Sequence, residues 1–260
     1  MTAKNILAIA TASIATAGLA ACGNTGAVGR LGELKRAART CPAHAHLAAY
    51  VAWDVRRTLR GPRIAAVRLE SLQQTAERVA VCGGALRVVA FGATASSTAR
   101  LFDSELRPPG ATENARLLRV PHLVAQVKEH VEQALPGVLA EVSGRGADPL
   151  TQFAAADQFR RQLGPGYALH LVIETSGLVR DAPTRKSLAA AASASELTAD
   201  TAAPNLRGTE VVVAGIGKIG RGAPMPSRAV EALRVFYGKV CERTHADACL
   251  VISDLAPLGG

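Results

Sequence analysis

The sequence predicts an α/β domain: a mostly parallel, doubly wound sheet flanked by helices. Three observations point to it. Short apolar runs alternate with longer segments of helical character, which favours parallel strands covered on both faces. The breaks between them carry turn and cap signals, at Gly83-Gly84, Pro108-Pro109-Gly110 and Asp148-Pro149. No internal repeat interrupts the succession, and a chain of 260 residues can bury a substantial core without metal or disulfide staples.

Residues 43–60, AHAHLAAYVAWDVRRTLR, place Leu47, Val51, Val55 and Leu59 four apart and are expected to be helical. RIAAVRL, 63–69, reads as the first strand. Ser71 to Val81 reads as the helix after it, stopped by the Gly83-Gly84 pair. LRVVAF, 86–91, is a second strand, and 99–102 a short third one before the proline turn. His122 to Leu135 carries Val124, Val127 and Val131 on one helical stripe. Asp148 as N-cap and Pro149 at the first helical position open a helix to about Leu163. LHLVIE, 169–174, and TEVVVA, 209–214, are strands, with an alanine- and serine-rich helix expected at 184–199 between them. Ser227 can cap a helix to about Val240, and Leu250 to Ser253 is the last strand. This reading puts one domain at 43–256, its α/β core at 62–254, and a tail at 257–260.

Within VVVAGIGKIGRG, Gly215-Ile216-Gly217-Lys218-Ile219-Gly220 matches G-x-G-x-x-G. A dinucleotide loop must feed directly into a helix whose N-terminus faces the pyrophosphate. Here residues 221–226, two of them prolines, separate the glycines from Ser227. The acidic residue expected about 20 positions on is missing, and the first acid at a strand end is Asp254. Gly215, Gly217 and Gly220 are therefore expected to make a strand-end turn, with positive φ and close packing. The alternative is a Rossmann-type nucleotide-binding oxidoreductase using the same three glycines. Other catalytic patterns are missing: there is no G-x-S-x-G, S-x-x-K or H-E-x-x-H. His44 and His46 do not share a helix face, and His122 and His130 are too far apart for one metal. The expectation is a protein that is not an enzyme and holds no cofactor.

The chain opens MTAKNILAIATASIATAGLAACGNTG. Lys4 is a short positive region, and Ile6 to Ala21 carries no charge. That stretch is shorter than the roughly 20 residues of a spanning helix and has the order of a secretory signal. Leu19-Ala20-Ala21-Cys22 resembles the lipobox of bacterial lipoprotein signal peptides. The resemblance implies removal of 1–21, diacylglycerol on the Cys22 sulfur and acylation of the new amino terminus. Residues 22–42 are then a lipidated N-terminus and tether, holding the protein on the outer face of the cell membrane. Setting Cys22 aside, Cys41, Cys82, Cys241 and Cys249 remain, and four cysteines outside the cytosol allow three pairings. Cys241 and Cys249 close a short loop, which leaves Cys41 for Cys82. The net charge of +9 is carried mostly by scattered arginines, with 3% aromatic residues, and supports no nucleic-acid partner.

Several stretches together resemble the von Willebrand factor type A family over about 62–254. LRVVAFGATAS is similar to that family's second strand, GADPLTQFAAA to the start of a metal-binding helix, LVIETSGL to its fourth strand and VVVAGIG to a buried strand ending in a glycine turn. The resemblance implies a divalent cation above the sheet, held by D-x-S-x-S after the first strand, a Thr near the third helix and an Asp after the fourth strand. With the first strand at 63–69, the first loop offers Glu70 and Ser71, and Leu72 cannot ligate. Asp148 stands in the second loop and Thr175-Ser176 in the third. These five residues are the degenerate candidates, and no working metal site is expected. The resulting expectation is a lipid-anchored envelope protein that binds or scaffolds an unidentified envelope protein or polymer.

Overall fold

A computed structural model describes residues 25–56, 59–93, 97–142, 147–178, 203–219 and 224–255. Cys22, Gly220, the tail at 257–260 and the helix expected at 184–199 lie outside the described residues. The elements are α1 (Thr25–Ala38), β1 (His46–Asp54), α2 (Pro62–Cys82), β2 (Gly84–Phe91), β3 (Thr98–Leu106), α3 (Glu113–Leu117), α4 (Val120–Glu141), α5 (Leu150–Leu163), β4 (Tyr167–Glu174), β5 (Thr209–Ala214), α6 (Ser227–Thr244) and β6 (Ala248–Val251).

Six strands form one sheet in the order β3-β2-β1-β4-β5-β6. Every neighbouring pair is parallel except β2 with β3, which is antiparallel. The predicted fold class, a mostly parallel α/β sheet flanked by helices, is the one observed. The order reverses between β1 and β4, and in doubly wound sheets the crevice outside the strand carboxyl ends opens at such a point.

The sheet carries a core on each face. Leu47, Ala49, Val51 and Trp53 of β1 point into one, with buried residues of α2 and α4. Ala48, Tyr50 and Ala52 point into the other, with Phe153 and Phe159 of α5 and Leu233 and Tyr237 of α6. Successive strand side chains alternate faces, so a strand covered on both sides is apolar throughout. Helix α2 presents Arg68, Leu69, Leu72, Ala76, Val79 and Ala80 to the sheet side, the three- and four-residue spacing of one helical face. It starts at Pro62 and stops where Gly83 takes the left-handed conformation, φ 66°.

The beginning of the domain departs from the sequence reading. Residues 46–54, expected as helix within 43–60, are β1, the inner strand next to the switch point. Residues 63–69, expected as the first strand, are the opening turns of α2. The α/β core accordingly begins at His46 rather than at residue 62. The expected tether at 22–42 contains α1, whose Leu34 is buried against the core. Strand β3 is longer than expected, α3 was not foreseen, and α4 runs through Pro136 to Glu141. The remaining helices and strands fall where expected, within a few residues. Two disulfides are present, Cys41–Cys82 and Cys241–Cys249, with Cα atoms 5.4 Å and 6.1 Å apart. Among the described residues no helix is long and apolar enough to cross a membrane.

Candidate functional site

The carboxyl ends of β1 and β4 gather four buried ionisable side chains, Asp54, Arg56, Arg68 and Glu174. Asp54, the last residue of β1, is 0% exposed. Its Oδ1 accepts from the Arg56 backbone amide at 3.1 Å. The Arg56 Nε lies 3.0 Å from Oδ1 and 2.7 Å from Oδ2, and a terminal guanidinium nitrogen lies 2.6 Å from Oδ2. The Thr175 hydroxyl donates to Oδ2 at 2.8 Å and itself accepts from the Gly177 amide at 3.1 Å. Arg56 also donates to the Leu178 carbonyl, so its guanidinium joins the loop after β1 to the loop after β4. The Tyr237 hydroxyl of α6 donates to the Gly177 carbonyl at 3.0 Å and fixes that loop from the other core. Burial raises the Tyr237 pKa and keeps it a neutral donor.

A second pair lies beneath. One nitrogen of Arg68, on α2, donates to the Asp54 carbonyl at 2.8 Å and to the Glu174 carbonyl at 3.3 Å. Its Nε faces the Glu174 carboxylate at 3.3 Å without hydrogen-bond alignment, and its guanidinium lies 5.9 Å from the centre of the Trp53 ring. Desolvation pushes the Glu174 carboxyl up to about 7, although Arg68 and Ser71 oppose it, and lowers the pKa of Arg68. Chemically, then, the cluster is closed. Each carboxylate faces a guanidinium, and a buried pair missing one partner costs several kcal/mol.

The structure separates the sequence-predicted candidates. Glu70 is exposed on α2, within the helix rather than in the loop after a strand expected from the sequence. Ser71 is buried and lies against Glu174. Asp148 accepts from the Leu150 amide at 3.0 Å at the start of α5, but it is not the N-cap expected: the helix begins at Leu150 with Pro149 at the N-cap position and no side-chain cap. Thr175 does reach the site through its bond to Asp54, whereas Ser176, the next residue, is buried with a hydroxyl that has no hydrogen-bond partner. Asp54 and Arg56 were missed because the strand they follow was read as a helix. Their signal was present in the sequence: Asp54-Val55-Arg56-Arg57-Thr58 directly follows an unbroken apolar run and carries an acid and a hydroxyl four apart. Against the family's D-x-S-x-S, the central hydroxyl position is Arg56. Among the described residues no three His, Cys, Asp or Glu side chains converge as a metal would require. The set does not fit a divalent cation, because a guanidinium fills the space in front of the one carboxylate that would hold it.

Gly215 and Gly217 have φ of 86° and 81°. A Cβ on Gly215 would lie 2.5 Å from Leu255, and one on Gly217 would lie 2.6 Å from Val230. The amides of Gly215, Ile216, Gly217 and Lys218 donate to the carbonyls of Asp254, Ile252, Ser176 and Gly215. Those amides point into the protein, where no pyrophosphate can reach them.

Beside the cluster, at the same end of the sheet, lies an open cleft of about 590 Å³ between the start of α2 and the loops after β5 and β6. Ile64, Val67, Ile219 and Leu255 form its apolar walls, with Arg63 and Lys218 also lining it. Lys218 pairs with Asp254 at 3.1 Å, both largely exposed, and Arg63 is exposed. Helix α2 has no side-chain cap at its N-terminus, so its first free amides add positive potential there.

No family model and no curated protein matches the chain. Solved structures of proximal thread matrix protein 1 from the mussel byssus are similar to it. One covers 83% of this chain and 45% of that one at 14% identity with a TM-score of 0.43, and is described as having a zinc-occupied MIDAS motif. Another covers 81% and 44% at 13% identity with a TM-score of 0.38. The chain thus spans less than half the length of these proteins.

Proposed function

We propose that this is a lipid-anchored envelope protein whose α/β domain binds a partner, without catalysis, through the cleft at the carboxyl end of its sheet. The supporting observation is the contrast between two neighbouring features at that end. The carboxylates of β1 and β4 are buried against arginines and offer no nucleophile, acid or base to a substrate. The cleft beside them is open and apolar, with Arg60, Arg63 and Lys218 on its lining and Asp254 paired to Lys218. That chemistry suits a partner with an apolar contact and an acidic group, whether an envelope protein or an acidic polymer. The lipobox at Leu19–Cys22 supports the anchor, and the two disulfides suit an oxidising compartment.

The test is photocrosslinking in cells from a reactive side chain at position 64. A discrete adduct is expected, lost in Arg63→Glu and lost again in Cys22→Ala, which removes the protein from its membrane. Adducts only from a reactive side chain at exposed position 118 would move the binding face elsewhere. Stabilisation by a nicotinamide or flavin nucleotide that Gly217→Val abolishes would replace this reading with the oxidoreductase.

A further inference from the structure

We infer that the Arg56 guanidinium is a permanent, covalently attached occupant of a cation seat above the sheet, so that the loops after β1 and β4 are locked together without metal. This rests on neither the lipid anchor nor the partner. A cation at this position has two tasks: neutralising Asp54 and drawing oxygens of the fourth-strand loop toward it. Arg56 does both. It covers the two carboxylate oxygens with Nε and a terminal nitrogen, 2.6–3.0 Å away, and donates to the Leu178 carbonyl across the gap. Thr175 completes the shell from β4. With Asp54 0% and Arg56 7% exposed, the pair excludes water as well as ions.

Competition between guanidinium and metal is decided by coordination and charge. Mg²⁺ needs near-octahedral oxygens at about 2.0–2.1 Å and Ca²⁺ six to eight at about 2.3–2.6 Å. While Arg56 holds both Asp54 oxygens, neither is open to a metal, and a divalent ion placed beside the guanidinium would meet like charge in a poorly screened interior. The remaining oxygens still suit a hard cation: the Asp54 carboxylate, the Thr175 hydroxyl and the Leu178 carbonyl, with Ser176 next to Thr175 in the chain. Arg56→Ser removes the occupant and adds a hydroxyl two residues from Asp54. The inference therefore predicts no cation dependence in the wild type and a gain of it in Arg56→Ser.

The experiment is thermal unfolding of the purified full chain, in chelator and in millimolar Mg²⁺ or Mn²⁺, with water-proton relaxation to count bound Mn²⁺. The wild type should melt at one temperature in all three conditions and show no Asp54-dependent Mn²⁺ signal. Arg56→Ser should melt lower in chelator, rise by several degrees with Mn²⁺, and lose that rise in Arg56→Ser/Asp54→Asn. If Arg56→Ser does not fold in chelator, refolding yield takes the place of melting, and rescue by Mn²⁺ is the expected result. The inference is overturned by any of three results: a wild type that gains several degrees from Mg²⁺ or Mn²⁺ through Asp54, an Arg56→Ser protein indifferent to Mn²⁺, or one that Mn²⁺ does not help to refold.

Discussion

Single side chains at the top of the sheet determine both its chemistry and its pH response. Glu174 is fully buried, and its charged form meets only an imperfectly aligned Arg68, so burial wins and the group titrates near 7 rather than 4.5. Between those two values the folded protein holds a proton that the unfolded chain has released. Stability from this group is therefore greatest below about 4.5 and falls as pH rises through 7. At about 1.4 kcal/mol per unit the loss is on the order of 3 kcal/mol. Glu210 works in the opposite sense: His170 and Arg78 hold it down to about 2, so its smaller, half-exposed contribution disappears only in strong acid, outside this window. Melting temperature measured from pH 4.5 to 7.5 should fall more steeply for the wild type than for Glu174→Gln; parallel curves would show that Glu174 does not titrate there. A glycine makes the other residue-scale case. Gly217 combines φ 81° with a Cβ position 2.6 Å from Val230. Left-handed backbone alone costs a non-glycine about 1–2 kcal/mol, and the clash adds to it. Gly217→Ala should lose roughly 2 kcal/mol or more in urea unfolding, whether or not a nucleotide is present. A loss below about 0.5 kcal/mol would mean the turn is not packed as described.

At the scale of elements, what was legible in the sequence depended on how each segment is buried. β2, β4 and β5 were found because each is a short β-branched run with clear boundaries. β1 was not, because both its faces are covered and its composition carries no period of two. Leu47 and Val51 fall four apart in HLAAYVAWD by coincidence, and the run continues into Val55 and Leu59, so a helix fitted it equally well. One misassignment entails the next: a helical reading of β1 turns the opening turns of α2 into a strand and shifts the loop after the first strand from Asp54 to Glu70. Thr175, a degenerate candidate after a correctly placed strand, is one the structure brings to Asp54, while Asp54 and Arg56 follow a strand the sequence reads as helix and are not among the candidates. Helix α1 was hidden differently. Its glycines, Gly26, Gly29 and Gly32, weaken its intrinsic propensity, and its place is set by packing and by the Cys41–Cys82 bond. That bond closes 41 residues, for which chain entropy gives about 4 kcal/mol. Cys41→Ser/Cys82→Ser should lower unfolding stability by about 2–4 kcal/mol and raise amide exchange in α1 selectively. Exchange that rises equally in β4 and β5 would show instead that α1 is part of the cooperative core.

The whole molecule combines a rigid domain with a very short distance to its proposed anchor. Only Gly23 and Asn24 stand between Cys22 and the first residue of α1. At about 3.6 Å per residue at most, the helix starts within roughly 11 Å of an acylated cysteine. Since α1 is disulfide-bonded through Cys41 to the end of α2, the body cannot swing away as it would on a 20-residue tether. The chain is also basic, +8 without Lys4, and a Debye length of about 8–10 Å leaves part of that charge within reach of an anionic lipid surface. Acyl chains and charge are thus two candidate causes of membrane retention, and salt separates them. Two or more acyl chains hold a protein independently of ionic strength, whereas electrostatic attachment weakens steeply as the Debye length falls to about 3 Å in 1 M salt. Washed membranes should therefore keep the wild type in 1 M NaCl and release it only to detergent. Cys22→Ala should appear in the soluble or secreted fraction at the same salt. Wild type stripped by salt alone would leave charge as the attachment, and a Cys22→Ala protein that still resists the wash would remove Cys22 from the account of how the protein is held.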